Sequence, residues 1–457
     1  MELDFKSLLF GRRDAAKSAA ASAVAAENGS DVARWLDIYN GGGDWRYTRK
    51  GGMNGGTRKL AALGAAKALC AELSRLCFAE GAEFMCRDRE TQSYLAQVLD
   101  DNSFAERFPD FLEKAFALGG GVIKVYGGEH GVRLDFITAD CFVPTKWDGR
   151  GFNGGAFGSY ISENGKSYIL AETQELTEKG LVIENKLYNE SGRERELSEL
   201  YPKMREKTVI KGISKPLFVY FGTGSGKNRH CPPLGASVYA DAEDTLKAID
   251  VVFDSLTREF ILGKKRIIVP SYAVRGEYDE NGELRRYFNV NDEVFEAFST
   301  SDTEDLKITD NTASLRVAEH IEALDKLLDL LCMQAGMSEG TLSFKSGALR
   351  TATEVVSRNS RTYRTACFYR KLIAKGLSRV AENVCVLGKI SGELSRNACE
   401  EVSIRFADGV CEDEGTKTER ARLLYSSGLI SKARALSEIY GISLEEASSM
   451  EKEDNNG

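Results

Sequence analysis

Two apolar-periodic segments bracket a short β-rich one, and this order most limits what the chain can fold into. After Pro233, Ile249, Phe253, Leu256 and Phe260 recur at i, i+4, i+7 and i+11. The spacing predicts a helix from Leu234 to Leu262, on the order of 40 Å long at ~1.5 Å per residue. Thr312 to Ala335 repeats the pattern, with Ile321, Leu324, Leu328 and Leu331 on one face. Between them lie "KKRIIVP", a turn at "DENG" (279–282) and the run "ELRRYFNV". These predict a small β insertion. Two stalks thus carry a knob.

The flanking regions have other periods. Residues 1 to about 118 read as largely helical. Leu60, Leu63, Ala66, Leu69, Leu73 and Leu76 share one helix face, and a second helix runs from Phe104 to Leu118. "GGGVIKVYGGEHGVRLDFI" then predicts an antiparallel hairpin, and turns at "ENG", "EKG" and "NESG" extend a meander to Phe221. A Gly/Ser-rich loop, "GMSEGTLSFKSGALR", enters a helix that continues to about Leu387. The tail offers a strand, "EVSIRF", and two helices around "SSGLISKARALSEIYGISLEEA". The fold class expected is α+β.

A net charge of −8 over 457 residues makes tight, sequence-independent DNA binding by the whole surface a poor expectation. No run of some 18 apolar residues predicts a membrane span, and the N-terminus lacks the apolar core of a signal peptide. Ten scattered cysteines form no C-x-x-C pair, and only His130, His230 and His320 could assist them. Zinc is therefore not expected, and buried, reduced thiols are.

"GTGSGKN" (222–228) imitates a phosphate-binding loop, but Phe221 stands where the first Gly is needed and Asn228 where Ser or Thr would hold Mg²⁺. Pro232 and Pro233 interrupt the helix start that phosphate would require. "FADGVCEDEG" groups Asp408, Glu412, Asp413 and Glu414 without the spacing of a calcium loop, which favours a solvated acidic segment over a divalent-ion site. The tail has a helix-turn-helix outline, yet Glu445 and Glu446 would repel phosphate. No catalytic set can be assembled, and no cofactor is implied.

Charge is unevenly spread. Residues 341–379 carry Lys345, Arg350, Arg358, Arg361, Arg364, Arg370, Lys371, Lys375 and Arg379 against Glu354 alone, a net of +8. The remainder therefore carries −16. Such a segment either contacts phosphate or pairs with acidic surfaces, within one subunit or across an oligomer contact. Lys345 and Arg350 flank a glycine-bearing loop, where a side chain can project into an opening.

Five motifs in order carry a family resemblance: "WLDIYNGGGDW", "ALGGGVIKVYGGEHGVRLDFITADCFVP", "PPLGASVYADAEDTLKAIDVVFDSLTREFILGKKRIIV", "LRTATEVVSRNSRTYRT" and "VSIRFADGV" with "GLISKARAL" and "GISLEEA". The chain resembles portal proteins of tailed phages and prophages of Gram-positive bacteria. The resemblance implies an N-terminal arm and wing (1–233), a stem (234–265 and 312–336) and a clip (266–311). It further implies a tunnel loop with a long channel-side helix (337–388) and a C-terminal wing or crown portion (389–457).

The implied protein is a dodecameric ring at a capsid vertex, assembled in the host cytoplasm and carried in the virion. It would pass double-stranded DNA without regard to sequence and meet the terminase large subunit, the head–tail adaptor and the capsid or scaffolding protein. Ser343, Phe344, Lys345, Ser346 and Arg350 are expected at the channel. Arg358, Arg361, Arg364 and Glu354 are expected between subunits, and Arg275, Glu277, Arg285 and Arg286 at the docking face. A packaging-motor ATPase would need an intact P-loop. An adaptor or minor head protein would lack the stalk–knob–stalk order.

Overall fold

The computed structural model describes residues 19–49, 57–79, 81–128, 131–148, 151–224, 234–263, 267–268, 275–278, 284–287, 309–310, 314–344, 352–406, 414–428, 430–440 and 447. In chain order the elements begin with α1 (Ala19–Tyr39), β1 (Tyr47–Arg49), β2 (Thr57–Lys59), α2 (Ala65–Phe78), β3 (Ala82–Cys86), α3 (Arg89–Asp101) and α4 (Phe104–Leu118). Strands β4 (Gly120–Gly128), β5 (Gly131–Thr138), β6 (Phe142–Asp148), β7 (Gly151–Glu163), β8 (Lys166–Thr177), β9 (Gly180–Asn189), β10 (Glu194–Arg195), β11 (Lys207–Ile210) and β12 (Phe218–Gly222) follow. Then come α5 (Glu243–Leu262), β13 (Ile267–Ile268), β14 (Arg275–Tyr278), β15 (Leu284–Tyr287), β16 (Thr309–Asp310) and α6 (Val317–Gln334). The last are α7 (Ala352–Ser391), β17 (Val402–Phe406), α8 (Glu414–Ser426) and α9 (Lys432–Tyr440). The protein is α+β, as its sequence predicts. Two compact units divide it, one of residues 1–44, 64–247 and 328–457, the other of 45–63 and 248–327.

The larger unit is layered around β12. This strand pairs antiparallel with β4, giving a three-stranded sheet of order β12-β4-β5. Alternate residues of a strand point to opposite faces. Phe218 and Tyr220 accordingly pack on Phe142 of the meander β6–β9, while Phe221 packs on Phe108 and Phe111 of α4. Lys124 of β4 faces the meander too. Its ammonium lies 2.8 Å from Glu172 and 3.7 Å from Asp135. Burial opposes charge on Lys124, but the two carboxylates outweigh it and raise the pKa.

Four sequence expectations need correction. The meander does not include 218–222, because that strand pairs with β4, where its two apolar faces meet the meander on one side and α4 on the other. Helix α5 starts at Glu243, not Leu234. The intervening backbone bonds outward: the Gly235 N–H donates to Tyr220 Oη at 3.0 Å and the Val238 N–H to Phe116 O at 3.1 Å. Leu60 and Leu63 precede α2 and do not belong to it. The Ala61 and Leu63 N–H groups, both 3.0 Å from carboxylates of Asp254 and Asp250, are held away from a helical ladder. Finally, β3 and α3 were not anticipated. β3 pairs with β17, more than 300 residues away, and Asp88 caps α3 by accepting from the Thr91 N–H at 3.3 Å.

The thiols behave as expected for a packed interior. Cys70, Cys77 and Cys385 are buried and free, and burial pushes Cys77 and Cys385 up to about 12. Among the described residues no helix is long and apolar enough to cross a membrane.

Candidate functional site

The stretch between α6 and α7 is the first candidate. Gly336 and Gly340, with φ of 76° and 77°, turn the chain in the left-handed region where a side chain is strained. Four contacts then fix the segment. The Ser338 N–H donates to Thr362 Oγ1 at 2.8 Å, and the Thr362 N–H donates to Ser338 Oγ at 3.3 Å. Thr365 Oγ1 donates to Gly336 O at 2.6 Å, and the Gly340 N–H donates to Asp329 Oδ1 at 2.8 Å. Met337 is buried between these anchors. Past them Ser343 and Phe344 are exposed. Lys345, Ser346 and Arg350 lie outside the described residues.

The second candidate is α7. Its 40 residues bury Ala366, Tyr369, Ile373, Leu377, Val380 and Val384 on one side. Arg361, Arg364, Phe368, Lys371, Lys375 and Arg379 are exposed on the other. Asp241, Met333, Arg361, Arg364 and Phe368 share a cleft of about 630 Å³. The backbones of Glu354 and Arg358 belong to α7; their side chains lie outside the described part. Arg370 departs from the pattern of its neighbours. It is buried, donates to Leu76 O at 3.0 Å and lies 5.8 Å from the Phe406 ring.

The third candidate is the smaller unit. β13 pairs with β16, Ile267 opposite Asp310, so the two ends of the insertion meet. β14 pairs with β15, placing Arg275 opposite Tyr287, Gly276 opposite Arg286 and Glu277 opposite Arg285. On α5, Asp250 accepts from Trp45 Nε1 and the Leu63 N–H, both at 3.0 Å. One turn later Asp254 accepts from Arg58 at 2.8 and 2.6 Å. Two carboxylates at i and i+4 thereby hold the 45–63 segment. Glu259 receives Arg316 through two bonds of 3.1 Å. Sequence reading missed this clamp, although Asp250 and Asp254 interrupt an apolar pattern at helical spacing.

The P-loop-like segment serves packing as far as Gly224, where its description ends. Thr223 is buried, and its hydroxyl donates to Ala236 O at 2.7 Å. Among the described residues no group of three or more His, Cys, Asp or Glu could hold a metal ion.

Comparison with known proteins adds the following. The family described as "Phage portal protein, SPP1 Gp6-like" matches residues 34–457. No curated protein matches the chain. One similar solved structure is the neck of an empty gene transfer agent particle computed with C6 symmetry. Its chain is 12% identical, with 83% of this chain and 89% of that chain covered and a TM-score of 0.47. Another is the virion of a native gene transfer agent particle, at 13% identity, the same coverage and a TM-score of 0.40. With the family matched over nearly its whole length, the chain belongs to the SPP1 Gp6-like phage portal proteins.

Proposed function

We propose that this portal protein forms a dodecameric ring at one capsid vertex, through which the genome is packaged and later ejected. The family match over residues 34–457 carries the reading. Its role is structural and not catalytic. The wing is residues 1–233, the stem 234–265 and 312–336, the clip 266–311, the tunnel loop and long helix 337–388, and the C-terminal portion 389–457.

Physical chemistry supports a conduit. Phosphate contacts repeated around a ring multiply, and a strong grip from every subunit would stall the moving duplex. A net charge of −8 on each chain is consistent with sliding. The clip, residues 266–311, is the platform that meets the terminase large subunit and then the head–tail adaptor, while the wing meets the capsid or scaffolding protein. Images of the purified chain should show rings with an axial hole, and a stable monomer or an open filament would overturn the reading. Deleting Arg275–Arg286 should leave the larger unit folded and abolish adaptor capture in a pull-down. Unchanged capture would remove the docking assignment alone.

A further inference from the structure

We propose that the basic face of α7 docks on an acidic face of a second copy of this chain, formed by the end of α3 and the start of α4. The proposal rests on the ring reading and names the surfaces that build it. Along α7 the exposed positions 361, 364, 368, 371, 375 and 379 recur at three or four residues, which is one helix face roughly 27 Å long. Among the described residues, no carboxylate lies within ion-pair distance of Arg361, Lys371, Lys375 or Arg379. Like charges one turn apart destabilise a helix by about 0.2–0.5 kcal/mol per pair, so an opposing acidic surface would stabilise this face.

The opposing surface is on the same chain. Asp100, Asp101, Glu106 and Asp110 are exposed, and among the described residues none has a cation within ion-pair distance. Asp100 and Glu106, with Glu83, line a cleft of about 510 Å³ whose floor includes Phe84 and Phe104. The two rings are buried, whereas the basic cleft carries apolar surface, Met333 and Phe368, each about half exposed. The basic face is thus mainly cationic, with Asp241 in its cleft, and the acidic face mainly anionic, with Arg107 and Arg133 beside its carboxylates. A closed ring needs a heterologous contact, in which two different, complementary patches of one subunit meet their counterparts on its neighbours. Duplex DNA fits less well. It would neutralise the cations but leave Phe368 and Met333 facing phosphate, and the acidic patch would stay unmatched.

The test uses the full chain in three forms. Variant one carries Arg361→Glu, Lys371→Glu and Lys375→Glu; variant two carries Asp100→Lys, Glu106→Lys and Asp110→Lys; the third carries all six. Circular dichroism checks that each subunit is folded. Light scattering after size exclusion should find rings for the natural chain, mostly monomers for either triple variant, and rings again for the sixfold variant. Equimolar mixing of the two triple variants should also restore large assemblies, because their altered faces complement each other. Intact rings from variant one, with DNA retention lost, would assign the face to nucleic acid and overturn the proposal. Loss in both triples without recovery on combination or mixing would show that the two faces are not mates. If the natural chain forms no ring, the proposed function fails; association only in the mixture would still support the two faces, and its absence there would reject them.

Discussion

Ser338 and Thr362 hold each other by two hydrogen bonds, each backbone N–H donating to the other residue's hydroxyl oxygen, at 2.8 and 3.3 Å. Both residues are buried and stand 24 positions apart. The chain leaving α6 therefore starts its excursion from a fixed root. The two bonds are not equivalent. Ser338 lies outside any helix, so its N–H has Thr362 as its acceptor. Thr362 lies inside α7, where the ladder offers its own N–H a carbonyl four residues back.

Thr362→Val keeps the shape but strands the Ser338 N–H, and a buried donor without a partner costs about 1–3 kcal/mol. Ser338→Ala should cost clearly less. Urea unfolding of the two variants measures the difference. Equal losses would mean that the reciprocal pair is not what secures the root.

Lys124 supplies a second asymmetry. Lys124→Met leaves the partly buried Glu172 without its cation, and breaking a fully buried pair from one side costs about 3–5 kcal/mol, which sets the upper bound here. Adding Glu172→Gln removes the stranded charge while keeping an acceptor for the Gln174 amide, 2.7 Å away. The double variant should recover a good part of the loss in chemical denaturation. No recovery would place the effect in packing around Phe157 and not in charge.

Asp254 should make the smaller unit acid-sensitive. The Arg58 guanidinium holds its carboxyl below the ordinary range against the opposing effect of burial, helped by the Ala61 N–H. A carboxyl whose pKa falls on folding adds stability above its unfolded value, about 3.9, and loses it as pH drops through the lower native value. Asp254→Asn should lower the melting temperature at pH 7 by a few degrees, on the order expected for one lost charged contact. It should also flatten the fall below about pH 4. An unchanged acid limb in thermal melts would show that Asp254 does not govern it.

Local signals were legible in the sequence, and long-range ones were not. The period-2 runs at 120–138 and the Phe104–Leu118 helix announce themselves because each element's own residues set its pattern. β3 does not, since five residues with one buried side chain, Phe84, become a strand only by pairing with β17. Leu60 and Leu63 fit a helical period by accident. The Leu60 N–H is taken by Arg46 O at 2.8 Å, and the Ala61 and Leu63 N–H groups by carboxylates on α5, about 190 residues away. The basic face of α7 could be counted but not oriented, because Arg370 shares its composition while being buried. The anchoring of the 336–344 segment depends on Thr362 and Thr365, whose hydroxyls carry no signature in a helix that reads as basic and amphipathic.

Lys345 follows the fixed root by seven residues and itself lies outside the described residues. The portal reading predicts that the segment from Gly336 to Arg350 lines the narrowest part of the channel. Each subunit then presents one ammonium on a segment whose origin is held but whose continuation, with Ser343, Phe344 and Ser346, contains Gly347. A ring would set these charges as a girdle at the phosphate surface. Single exposed contacts of this kind are weak and screened beyond about 8 Å at physiological salt, which permits sliding. Lys345→Glu reverses every member of the girdle without touching the Ser338–Thr362 root. Ring assembly, read by light scattering, should stay normal while the amount of DNA packaged or retained by particles falls. The deficit should grow at low salt, where the reversed charges reach further. Particles with unchanged DNA content at both salt concentrations would put Lys345 in solvent, away from the channel.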